Sequence, residues 1–196
     1  MDVTTAFGGI GAAFGLASSA GLNAYIPLLI AALASRLPLG DPLLKLAPPY
    51  DALGSWWVIG LLVILLLIEM LVDKIPAVDS VNDVIQTFIR PAAGALLFAA
   101  NAQVVTDLSP GLALMAGLLL AGGVHVTKGT FRPIVTASTA GTGNWAVSLA
   151  EDAVATTTSI LALLAPIVIG ILVILTLAVV GWWLWRWRRR RVERVR

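Results

Sequence analysis

Cysteine is absent from the 196 residues, and histidine occurs once, at His125. The first absence excludes a disulfide framework and thiol chemistry. The two together exclude a zinc site built from Cys and His, so no metal centre and no cofactor are expected. Charge is scarce as well: Asp, Glu, Lys and Arg make up 12% of the chain, against about 25% in a soluble domain. The opening "MDVTTAFGG" lacks a basic stretch. A cleaved signal peptide is therefore not expected, and the first helix stays in the mature chain. No phosphate-binding loop or hydrolase elbow is present. One His among several Ser and Asp residues defines no catalytic triad without geometry.

What the chain holds in abundance is apolar. Hydrophobic residues make up 59% of it. Several apolar runs approach the roughly 20 residues that cross a hydrocarbon core of about 30 Å. The expected fold is all-α: a polytopic helical membrane protein with about five transmembrane helices, whose partner is the lipid bilayer. A single membrane domain covers residues 1–185 and a basic tail covers 186–196. The first span, Thr5 to Ser35, would be about 45 Å long. It is expected to break at "SSAGLN", Ser18 to Asn23, where freed backbone groups must face protein or water. Later spans are expected at Trp56–Asp73, Pro91–Val105, Leu112–Thr127 and Thr158–Trp187. Between them fall a short polar helix (Asp79–Ile89), a tight Pro-Gly turn (Asp107–Gly111) and a re-entrant or irregular segment (Lys128–Ala155) before the last span.

The net charge of +2 conceals an asymmetry. Seven of the thirteen Lys and Arg residues lie in "RWRRRRVERVR", Arg186 to Arg196, which leaves six basic and ten acidic groups in the body. Basicity therefore belongs to the tail, and no nucleic-acid-binding face is indicated. The positive-inside rule puts the tail in the cytoplasm. Five spans then place the N-terminus outside, in what is expected to be a bacterial cytoplasmic membrane. Trp182, Trp183, Trp185 and Trp187 interleave with the arginines as an interfacial belt.

On that topology the charges of the body collect on the non-cytoplasmic side. Glu69 and Asp73 share a helix face, with Lys74 beside them. Asp79, Asp83, Gln86 and Arg90 form one stripe at helical spacing. His125, Lys128 and Arg132 form another, and Ser148, Asp152, Thr156 and Ser159 a third, with Glu151 adjacent. Converging, these stripes would make a water-filled vestibule. Intramembrane ionisable groups are costly and are site candidates by default. Glu69 and His125 lie deepest, each after a run of apolar residues. With a reference pKa of about 6.5, His125 titrates near neutral pH where acids approach it.

A short echo links "SSAGLNAY", Ser18 to Tyr25, with "STAGTGNW", Ser138 to Trp145. Paired broken helices in two repeat halves are a transporter feature, and Asn23 and Asn144 each offer donor and acceptor groups. Gly11, Gly15 and Ser19 recur four apart, as do Gly117 and Ala121. Such spacing lets helices approach closely, within one chain or between copies in a homo-oligomer.

The residues also carry a family likeness. "LIEMLVDKIPAVDSVNDVIQTFIRPAAGALL" and "GNWAVSLAED" resemble the bacterial integral membrane family catalogued as domain of unknown function 4126. The likeness rests on Glu69, Asp73 to Pro76, Val78, Asp79, Asp83, Arg90, Pro91 and Gly94. It continues through His125 and Lys128, then Asn144, Trp145, Ser148, Glu151 and Asp152, with Gly21, Leu22 and Pro27 to Ile30 near the start. The chain departs from the pattern at "STAGTGN", where the family has a Pro-containing loop. The resemblance implies a membrane location and supplies no substrate.

Three functional readings follow. The first is a small transporter or channel for an ion or small polar solute, entered through the charged vestibule. The second is a membrane scaffold or lipid-interacting accessory, with the charges acting as interhelical locks. The third, an intramembrane enzyme acting on a lipid or headgroup, has the least behind it. A transporter needs Glu69 and His125 to line a cavity reaching the Ser18–Asn23 break. A scaffold needs each acid paired to a base.

Overall fold

The computed structural model describes residues 3–37, 42–46, 48–72, 76–101, 107, 109–139 and 143–193. Helix makes up 88% of the structure, and no strand occurs among the described residues. In chain order the helices are α1 (Val3–Ala20), α2 (Tyr25–Ala34), α3 (Trp56–Val72), α4 (Pro76–Asn101), α5 (Pro110–Thr139), α6 (Asn144–Leu164) and α7 (Pro166–Glu193). A short 3-10 turn, Tyr50–Gly54, precedes α3.

The break in the first apolar segment falls where the small and polar residues cluster. Helix α1 ends at Ala20, and α2 begins at Tyr25. Asn23 Oδ1 accepts the backbone N–H groups of Tyr25 at 2.9 Å and Ile26 at 3.1 Å. It thereby satisfies donors that a helix start leaves open. The end of α1 closes with Leu22 N–H donating to the Ser19 carbonyl at 3.0 Å.

Three other expectations need correction. The polar helix Asp79–Ile89 and the span from Pro91 are one helix, α4, with Pro91 inside it. Proline removes one intrahelical bond, a loss that membrane helices tolerate. Among the described residues the segment from Lys128 to Ala155 is largely helical: α5 continues to Thr139, and α6 starts at Asn144. Its hydroxyls turn inward on the helix backbone. Thr130 donates to the Thr127 carbonyl at 2.6 Å and Thr139 to the Val135 carbonyl at 2.7 Å. Polar composition thus reads as loop although the groups are satisfied in place. The last apolar run is not one span either. It divides at Ala165, whose φ of −138° and ψ of 59° leave the helical region, and Pro166 opens α7. Proline fits a first helical position.

That division turns the chain back. Gly11 lies against the Pro166 carbonyl, and Gly15 against both Ala162 and Ile169. Farther along, Val147 and Glu151 of α6 line the same groove as Leu177 and Val180 of α7. Helix α6 therefore runs antiparallel to α1, and α7 returns alongside. Packing defines two ends. The far end holds Gly9 beside the Asn101 carbonyl and Gly11 beside Pro166. Arg36 bonds the Gly54 carbonyl just before α3 starts. The other end gathers Asn23, Glu69, Arg90, His125, Lys128 and Asp152.

The core between the ends is made of small residues. Ala17, Ala20, Ala31, Ala93, Ala121 and Ala162 are buried beside Leu16 and Leu97. Helices α4 and α5 cross closely, where a side chain on Gly117 would overlap the Gly94 carbonyl. The outer surface is apolar: Leu61, Ile64 and Ile68 on α3, and Ile171, Leu175 and Val179 on α7, are exposed. Helices α5, α6 and the Pro166–Trp183 part of α7 are long and apolar enough to cross a bilayer. Phe7–Ala20, Tyr25–Ala34 and Trp56–Val72 are shorter apolar helices. Apolar girdles around a core of small residues are the build of a membrane protein.

Candidate functional site

The charged end is assembled from five segments. Glu69, near the end of α3, and Arg90 of α4 are 3% and 2% exposed. Arg90 Nη2 donates to Glu69 Oε1 at 3.2 Å. On its other branch Arg90 Nη1 donates to His125 Nδ1 of α5 at 3.4 Å. A guanidinium has only donors, so Nδ1 acts as acceptor and a neutral ring carries its proton on Nε2. Nε2 then donates to Thr87 Oγ1 at 3.2 Å. In that arrangement His125 draws no proton from Thr87. Gln86, one turn before Arg90, is 1% exposed and contacts the Tyr25 side chain of α2.

One turn further along α5, Lys128 is also buried. Its Nζ lies 2.7 Å from Glu151 Oε2 of α6 and donates to the Leu22 carbonyl at 3.2 Å. Leu22 belongs to the break between α1 and α2, so Lys128 takes up a carbonyl that unwinding has freed. Arg132 Nη2 lies 3.6 Å from the same Glu151 oxygen and donates to Ser148 Oγ at 2.7 Å. Asn23 Nδ2 donates to Asp152 Oδ1 at 2.9 Å. Below this layer, Ser19 and Ser159 share a hydrogen bond at 2.8 Å. A cleft of 220 Å³ reaches the layer, lined by Val84, Thr87, His125, Lys128, Gly129 and Arg132.

The structure therefore brings together Asn23, Glu69, Arg90, His125, Lys128, Arg132, Ser148, Glu151 and Asp152, as the helical stripes suggest. Asp73 and Lys74 lie outside the described residues, and the side chains of Asp79 and Asp83 lie outside the described part of α4. Asn144 does not join the break. It opens α6, where Thr136 Oγ1 donates to its Oδ1 at 3.0 Å. Both halves of the sequence echo thus sit where one helix gives way to the next, but only Asn23 reaches the charge layer. The Leu22 carbonyl, Tyr25, Gln86 and Thr87 were missed as site members. Gln86 carried a signal, its place in the Asp79–Arg90 stripe; a backbone carbonyl carries none.

The side of the layer is a further correction. The sequence pattern sets the charges opposite the arginine tail, on the assumption of a single last span. Because α7 returns beside α1, the tail leaves from the charged end. Val180 lines the groove that holds Lys128 and Glu151. Beyond it Arg186 stacks over Trp182 at 5.1 Å and Arg189 over Trp185 at 4.0 Å.

A family model described as "Domain of unknown function (DUF4126)" matches residues 10–187. The chain belongs to the DUF4126 family. The match takes in the whole charge layer of this DUF4126 protein, from Asn23 to Asp152, and the turn at Pro166. No curated protein and no solved structure matches the chain.

Proposed function

We propose that this DUF4126 protein is a small transporter or channel-like protein that binds an ion or small polar solute in the charge layer, with access from the side of its arginine tail. The observation that carries the reading is a set of buried ionisable groups from α3, α4, α5 and α6 meeting the unwound backbone between α1 and α2. Transporter sites combine the same parts: a broken helix, freed carbonyls and charged side chains away from lipid. Gln86 Oε1 and Arg90 Nε are buried and have no hydrogen-bond partner among the described residues. Buried polar atoms of that kind call for water or a ligand. The 220 Å³ cleft beside Thr87, His125 and Lys128 gives a way in. By the positive-inside rule the tail side is the cytoplasm, so the cleft faces inward and the start of α1 faces out. This reverses the non-cytoplasmic vestibule that five simple spans would give.

A second reading, interhelical locking, has its own observation: Glu69 is paired with Arg90, and Glu151 with Lys128 and Arg132. Flux separates the two. Reconstituted parent protein should pass a monovalent ion or small polar solute from a defined panel. Asp152→Asn should lower that flux at least tenfold while its melting profile stays near the parent's; Glu69→Gln should lower the flux as far and, by leaving Arg90 without its carboxylate, the melting temperature too. Parent vesicles as tight as empty ones across the panel would leave the locking reading standing instead.

A further inference from the structure

Helices α5 and α7 do not pack on each other among the described residues. The gap between them is a groove of 770 Å³, within the usual range of roughly 300–1,000 Å³ for small-molecule sites. One wall carries Leu119, Val126 and Phe131 of α5, and the other Leu177 and Val180 of α7. Gly123 keeps the α5 wall open; a side chain there would meet nothing within 4 Å. Where α6 closes the groove, its lining changes to Lys128, Arg132 and Glu151, two bases and one acid. Val180 stands two residues before Trp182, the start of the aromatic and arginine belt that marks headgroup depth.

An apolar trough with a basic end at headgroup depth has the chemistry of an anionic amphiphile. We propose that the groove between α5 and α7 holds one acyl chain of an anionic phospholipid, its phosphate against Lys128 and Arg132. Both flanking helices are long enough to cross a bilayer, so the groove opens sideways to lipid and its occupant comes from the membrane. Lysine and arginine serve phosphate as point charge and fork respectively. The single acid leaves the lining with a positive balance. The arginine tail adds attraction for anionic lipid on the same side. This inference stands whether or not the charge layer passes an ion.

Native mass spectrometry of protein taken from nanodiscs of equal phosphatidylglycerol and phosphatidylcholine tests it. Parent protein should retain one phosphatidylglycerol at about fivefold or more over phosphatidylcholine, the effect of roughly one added charge contact. Gly123→Phe should abolish that retention by filling the trough. Gly60→Phe, on an equally open glycine of α3 outside the groove, should retain lipid as the parent does. Lys128→Gln should reduce the phosphatidylglycerol preference without changing retention of phosphatidylcholine. If Lys128→Gln does not fold, the two glycine variants decide. Equal retention of the two lipids by the parent, or undiminished phosphatidylglycerol retention in Gly123→Phe, would overturn the proposal.

Discussion

Arg90 is a guanidinium sealed inside an apolar bundle, with Glu69 at 3.2 Å on one branch and His125 on the other. A buried ion pair adds little net stability, but removing one member is expensive, about 3–5 kcal/mol. Arg90→Met should therefore lower the melting temperature in detergent sharply. The Glu69→Met/Arg90→Met double variant should recover most of the loss and still fail in flux. Recovery of flux together with stability would make the pair a lock and nothing more. Arg90→Lys should rescue poorly, because one ammonium nitrogen cannot stand in for the two separate guanidinium nitrogens that reach Glu69 and His125. At this scale the sequence marks several of the ionisable groups that the structure brings together. Glu69 and His125 stand out against apolar neighbours, and helical spacing groups Arg90 with Gln86. The Leu22 carbonyl is invisible to such reasoning, since every residue has one and only the break makes this one available.

Among the elements, the break between α1 and α2 depends on Asn23 doing two jobs. Its oxygen caps α2, and its amide donates to Asp152. Asparagine and aspartate cap helices about equally well. A capping role alone predicts that Asn23→Asp behaves like the parent. The structure predicts otherwise: aspartate has no donor and sets a second carboxylate against Asp152, so Asn23→Asp should be at least as destabilising as Asn23→Ala. Thermal unfolding of the two variants decides. The crossing of α4 and α5 gives a separate expectation. Gly117→Val forces a side chain into the Gly94 backbone and should cost about 1–3 kcal/mol or more, while Gly111→Ala, which meets nothing within 4 Å, should be neutral. Two prolines show where element boundaries escape a reading of composition. The residue before a proline is pushed away from helical backbone. Ala165 yields and the chain turns at Pro166, whereas Arg90 stays helical, held through its side chain by Glu69 and His125, and α4 runs through Pro91. The difference lies in tertiary contacts that a local pattern does not contain.

For the molecule as a whole, apolar content and the arginine tail point to a helical membrane protein, and the apolar helices of the structure agree. Helical stripes foretell the convergence of charge. Its position relative to the arginine tail is foretold wrongly, because that depends on the parity of passes and one unrecognised turn inverts it. Arg36 falls at the far end, while Arg90, Lys128, Arg132 and the tail fall at the charged end. The native chain has no cysteine, so a single introduced thiol reports its own location. Labelling of Ser138→Cys, Arg189→Cys and Asp51→Cys in intact cells with a membrane-impermeant maleimide is the most direct measurement of this arrangement. Asp51→Cys, at the far end, should react from outside. Ser138→Cys at the charged end and Arg189→Cys in the tail should both react only after permeabilisation. Reaction of Ser138→Cys from outside while Arg189→Cys stays protected would place the charge layer and the tail on opposite faces, and the arrangement proposed for this protein would be wrong.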